Sequence, residues 1–164
     1  MIKKINLTSL IVLFALLVVA TSVSCKKDDD TPKTNTELLT GKNFFMTTWT
    51  IAPGFTANGI IVTDLFFFLD ECAKDDFIFF NADGSTIFDE GDIKCEEGDP
   101  QTASGSWDFM DNETKLKITY SDGSSEILGI VELTETTLRV STQFTDDLGE
   151  GEKLYTYSYT YSGN

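Results

Sequence analysis

Four pairs of adjacent carboxylates are the side chains with most chemical potential in this sequence: Asp75-Asp76, Asp89-Glu90, Glu96-Glu97 and Asp146-Asp147. Paired acids serve glycoside hydrolysis when they face each other across a cleft at about 5 to 9 Å. Here all four fall at strand ends or in turns, where a charged, solvated surface explains them. The chain has no histidine, and so lacks the usual general base and the commonest metal ligand. Asn81-x-Asp83-Gly84 and Asp89-Glu90-Gly91-Asp92 offer hard oxygen ligands, but neither completes the twelve-residue calcium loop with its closing glutamate. Three cysteines remain, Cys25, Cys72 and Cys95, with no Cys-x-x-Cys spacing. The pattern predicts no enzyme, no resident metal and no cofactor.

The first cysteine is explained by what precedes it. Met1-Ile2-Lys3-Lys4 is short and basic, Leu10 to Ala20 is apolar throughout, and Thr21-Ser22-Val23-Ser24 leads into Cys25. A basic start, a short apolar core and a small-residue exit describe a secretory signal. The apolar run falls short of the roughly 20 residues that span a bilayer. Residues 1–24 are therefore expected to be removed. That cut takes Lys3 and Lys4 and no acid, so the net charge of −15 becomes −17. Such a surface repels nucleic acid, and no nucleic-acid partner is expected.

Residues 26–36 carry no large apolar side chain and cannot offset the entropy of ordering. They read as a flexible tether, with 25–37 as a lipidated N-terminus and linker and 38–164 as one folded domain. Ser22-Val23-Ser24-Cys25 resembles the lipobox of bacterial outer-membrane lipoproteins in the relaxed form found in the Bacteroidetes, with Ser22 where the stricter motif has leucine. Lys27-Asp28-Asp29 resembles the signal associated there with display on the outer face of the cell. The resemblance implies an acyl chain such as palmitate on Cys25. It also implies a partner in outer-membrane lipid and an outward-facing location, with the periplasmic face as the alternative. Export favours disulfides. With Cys25 occupied, Cys72 and Cys95 form the remaining even pair, and two free buried thiols are the alternative.

The body alternates with period two, the mark of half-buried strands. Leu116, Ile118 and Tyr120 share one face, and Lys115, Lys117 and Thr119 the other. Trp107 and Phe109 oppose Ser106 and Asp108. Leu138, Val140 and Phe144 oppose Arg139, Ser141 and Gln143. Tyr155, Tyr157, Tyr159 and Tyr161 alternate with Thr156, Ser158, Thr160 and Ser162. Asp83-Gly84 and Asp122-Gly123 sit between apolar runs and predict hairpins. Asp111-Asn112 and Thr134-Glu135-Thr136 supply two further turns. Sequential hairpins hide their edges by closing. The expected fold is all-β, an antiparallel up-and-down barrel of eight strands or nine with at most one short helix; a two-sheet sandwich is the rival. Residues 63–71 read either as a buried strand or as a one- or two-turn helix, with the helix preferred.

The body resembles the lipocalin-like domain lipoproteins of the Bacteroidetes. The matching stretches run in order: Leu38-Leu39-Thr40-Gly41-Lys42 at the first strand, Cys72-x-Lys74-Asp75-Asp76, Phe80-x-x-Asp83-Gly84 and Gly91-x-x-x-Cys95. Gly105-Ser106-Trp107, Thr114-Lys115-Leu116-x-Ile118 and Leu133-Thr134-x-x-Thr137-Leu138 follow. The resemblance implies an eight-stranded barrel. Asn43 stands where the lipocalin Gly-x-Trp motif has its tryptophan. An eight-stranded barrel either fills itself with side chains or holds one small ligand. Phe77, Phe79, Trp107, Phe109, Tyr120, Tyr155, Tyr157 and Tyr159 are the candidates to line such a pocket. Two roles stay open: capture of a small apolar or amphipathic molecule, or a filled barrel acting as an accessory to an envelope protein partner. In the second, Phe66, Phe67 and Phe68 form a docking patch.

Overall fold

A computed structural model describes residues 31–164. The signal segment, Cys25 and most of the expected tether lie outside the described residues. Nine strands run in chain order: β1 (Asn43–Ala57), β2 (Ile60–Asp64), β3 (Phe77–Phe80), β4 (Ser85–Asp89), β5 (Thr102–Met110), β6 (Lys115–Tyr120), β7 (Ser125–Leu133), β8 (Thr137–Asp146) and β9 (Lys153–Gly163). From β3 to β9 each strand pairs antiparallel with the next, and β9 returns to pair with β1 from Phe44 to Ala52. β1 also pairs with β3, which closes an eight-stranded barrel. β2, paired only with β1, is an addition to the ring. A bulge between Met46 and Thr48 re-aims β1. Its first residues pair with β3, while its far half, Thr50 to Ala57, pairs with β2.

The turns follow the local chemistry. Gly84 and Gly123 adopt φ of +86° and +85°, conformations that cost glycine little. Asp83 and Asp122 each accept from the backbone N–H and hydroxyl of the serine two residues on, Ser85 and Ser124. Those bonds hold both carboxyls below the usual aspartate range.

Among the described residues there are three short helical segments, where at most one is expected from the sequence. Helix α1 (Asn35–Leu39) begins at Thr34, whose side chain and Glu37 form a reciprocal capping box. Ordered structure thus starts inside the stretch read as tether, and Leu38–Lys42 leads into the first strand rather than forming it. The cap explains the difference: Thr-x-x-Glu starts a helix, and Leu39 then buries completely. Leu39 plugs one end of the barrel against Phe44, Phe80, Leu116, Leu138 and Val140. Between β2 and β3 lie a 3-10 turn (Phe66–Phe68) and helix α2 (Glu71–Lys74). Residues 63–71 are therefore strand to Asp64 and helical turn afterwards.

Candidate functional site

The end opposite Leu39 is open. A cavity of about 500 Å³ enters the barrel there. Phe44 and Tyr161 reach its inner end, and Met46, Ile78, Phe88 and Ala103 form its sides. At the rim stand Asp76, Asp89, Glu90 and Asp99, with Ala73 and Pro100 between them. An apolar chamber thus lies under a carboxylate rim.

The rim is tied down at several points. Cys72 at α2 is disulfide-bonded to Cys95, as the pairing of the two domain cysteines anticipates. One Asp75 carboxylate oxygen accepts from the Asp92 and Ile93 backbone N–H groups at 2.8 and 2.9 Å. Gly91 lets the loop come this close. A Cβ there would stand 2.7 Å from the Asp75 carboxyl carbon, and its φ of +66° suits glycine. The Gln101 amide donates to Asp89 and to the Gly91 carbonyl, each at 2.8 Å. Asp75 and Asp89 are thus structural anchors of the loop 90–101.

Asp76 has a different position. Its Oδ1 is buried with no hydrogen-bond partner among the described residues. Burial, then the nearby Glu90, Asp75 and Asp89 charges, push its carboxyl up from 3.8 to about 6. The expectation that Asp75-Asp76 and Asp89-Glu90 are merely solvated surface is corrected: the fold gathers both pairs at the cavity mouth. Pairing alone could not show this, because α2 and the end of β4 are far apart in sequence.

The expected pocket aromatics divide differently. Pairing of Ile78 with Phe88 and of Phe80 with Thr86 sets the register of β3. Ile78 and Phe80 consequently face the core, while Phe79 lies on the other face opposite the exposed Ile87. Phe79 is corrected as a pocket residue. Phe77 shares that outer face, packs on Phe45 at 5.3 Å, and meets the cavity only at its rim. A four-residue run of large apolar side chains has no alternation from which its inner face can be read. Trp107 and Phe109 pack on each other at 5.2 Å, and the Trp107 indole N–H donates to the Asn81 carbonyl. They border a second, more polar hollow at the closed end. Tyr120 stacks on Phe88 at 5.2 Å, behind the cavity wall, and its hydroxyl donates to Glu126 at 3.4 Å. Tyr155, Tyr157 and Tyr159 lie in an aromatic cluster with Trp49 and Phe144. Of the candidate pocket aromatics only Phe77 lines the cavity, and Phe44, Met46, Ile78, Phe88 and Tyr161 are added to it.

A model of the lipocalin-like domain family matches residues 39–140. The chain belongs to the lipocalin-like domain family. The match reaches from the plug residue Leu39 into β8, and so takes in both the plugged end and the acidic mouth. No curated protein matches this chain. Membership accords with the closed barrel and with a general capacity to hold a ligand inside it. Among the described residues, no group of three or more His, Cys, Asp or Glu side chains is arranged to hold a metal ion. The lipocalin-like barrel presents an apolar chamber open at one end.

Proposed function

We propose that this lipocalin-like protein is a surface-displayed lipoprotein that captures a small apolar or amphipathic molecule in the open end of its barrel. The observation that carries the reading is the cavity of about 500 Å³ with apolar sides, within the 300–1,000 Å³ range of ligand sites. Support for the anchor lies in the sequence: the apolar leader, the small residues before Cys25 and the Lys27-Asp28-Asp29 run resembling Bacteroidetes export signals. In this reading Cys25 is acylated, outer-membrane lipid is the fixed partner, and the barrel faces outward.

Native mass spectrometry of the protein released mildly from its own envelope tests both parts. A bound molecule at near-stoichiometric occupancy is expected, together with an acyl mass on Cys25. Ala103→Trp, which places a large side chain in the chamber, should lose that molecule while the barrel stays folded. An empty barrel from every preparation would count against capture.

A second reading has one observation in its favour. Ile60, Ile61, Phe67 and Phe68 are 65 to 74% exposed on β2 and the following turn. Exposed apolar clusters mark interaction surfaces, and this one suits an envelope protein partner. It is compatible with a ligand in the barrel, and Phe67→Ser with Ile61→Ser would affect docking alone.

A further inference from the structure

The capture reading leaves the chemistry of the molecule open, and the mouth of the cavity narrows it. Apolar walls alone would accept any hydrocarbon of suitable size. A negatively charged head, such as that of a fatty acid, would meet Asp76, Asp89, Glu90 and Asp99 at the rim. Like charges brought together in a partly desolvated place repel strongly. The rim therefore discriminates against carboxylates and phosphates.

Of these four acids, Asp76 is the one suited to a ligand. Asp89 already accepts from the Gly91 N–H and from Gln101. Lys94 donates to the backbone carbonyl of Asp99, holding that part of the loop in place. Asp76 lines the cavity and keeps a buried oxygen with no partner among the described residues. A carboxylate that accepts from no described group gains a charge-assisted hydrogen bond when a protonated amine arrives. The nearby lysine of α2 does not fill that role: Lys74 is held by Glu71 at 2.7 Å and lies over the Phe66 ring.

Resting on the capture reading, we propose that the barrel selects a cationic amphiphile, with the Asp76 carboxylate holding a protonated amine at the mouth and the Met46, Ile78 and Phe88 walls holding the apolar body. The groups facing Asp76 fix the pH dependence. Asp75 adjoins it on the α2 side, Asp89 and Glu90 stand at the end of β4, and Asp99 lies across the rim; the phenol of Tyr161 lies at the inner end. The four neighbouring carboxylates all favour a cation and disfavour ionisation of Asp76. With its carboxyl pushed up to about 6, Asp76 is an anion above that pH and neutral below it. Amine capture should be strong at pH 7.5 and should fall away toward pH 5.

The test uses the full chain and three probes with one tail and different heads, octylamine, octanol and octanoate, titrated calorimetrically. At pH 7.5 octylamine should bind about tenfold or more tighter than octanol, the range expected for a charge-assisted hydrogen bond, with octanoate weakest. Asp76→Asn should bring octylamine down to the level of octanol and leave octanol unchanged, which also shows that the chamber persists in the variant. Glu152→Gln, which removes a carboxylate outside the cavity lining, should preserve the preference. Equal binding of the three probes, a preference for octanoate, or an amine preference that survives Asp76→Asn or is lost equally in Glu152→Gln would overturn the head-group assignment while leaving the chamber a binding site. Failure of all three probes to bind would overturn the capture reading as well.

Discussion

The two sides of the barrel interior are built to opposite volume profiles. Along β9 four successive inward positions are large: Tyr155, Tyr157, Tyr159 and Tyr161. Trp49 stacks on Tyr159 at 5.9 Å, and Phe144 lies 4.2 Å from Tyr157. That side is packed with aromatic rings as far as Tyr161, which borders the cavity. Along β5 the same face runs Ala103, Gly105, Trp107 and Phe109, small at the mouth and large at the plugged end. Gly105 has room for nothing more, since a Cβ there would run into the Thr119 carbonyl. The contrast teaches that a barrel of fixed strand number is hollowed locally, by where small side chains fall along a strand.

The largest expected effect breaks the plugged end. Phe80 is fully buried, with Phe44 and Trp107 edge-on at 5.9 and 6.0 Å. Phe80→Ala should cost about 3–5 kcal/mol in urea unfolding. Truncating Phe88, which already borders open space, should cost distinctly less, because less packing is lost around it.

The next effect separates the rim from the ring. Cys72 and Cys95 are 23 residues apart in sequence, and opening a loop of that size removes about 3 kcal/mol in the chain-entropy account. Hydrogen exchange on the Cys72→Ala, Cys95→Ala variant should show protection lost first across 90–101. The ladder from β6 to β9, which the disulfide does not touch, should keep its order of protection.

Much of this contrast was legible before any coordinates. Alternation gave the inward faces of β5, β6, β8 and β9, and the Asp-Gly turns gave the hairpins. The failures have common causes. Phe77-Ile78-Phe79-Phe80 is apolar on both faces, so only its pairing with β4 shows which two point inward. Helix α1 is five residues long and is marked only by its capping box. The acidic mouth needs α2, the end of β4 and the loop 90–101 in one place, and that convergence belongs to the tertiary fold. The small Ala103 on the inward face of β5 is the sequence clue to the cavity.

A smaller effect probes the hollow side through its charge. The Asp76 carboxyl is raised to about 6 in the folded chain against an ordinary 3.8. The folded state thus holds this proton more tightly than the unfolded one. The associated stabilisation is fully present below about pH 4 and is lost as pH rises through about 6. Asp76→Asn removes the penalty. It should stabilise the protein at pH 7.5 by roughly 1 kcal/mol, since the partly exposed site is screened by solvent, and should give no gain at pH 4. Urea midpoints at the two pH values check this; an equal gain at both would assign the effect to packing.

The last prediction asks whether the filled side is dry. Tyr155 is fully buried, stacks on Phe144 at 5.7 Å, and its hydroxyl has no partner among the described residues. A phenol oxygen left without a partner costs stability, whereas the ring itself is well packed. Tyr155→Phe keeps the ring and deletes the oxygen. It should leave unfolding stability unchanged or raise it by up to about 1 kcal/mol. Tyr120→Phe is the contrasting change, because it removes a hydroxyl that donates to Glu126. Burial pushes the Glu126 carboxyl up, so losing that donor should destabilise the chain at pH 7.5. If Tyr155→Phe proves as costly as Tyr120→Phe, the side lined by β9 contains a polar network, and the two halves differ in volume but not in polarity.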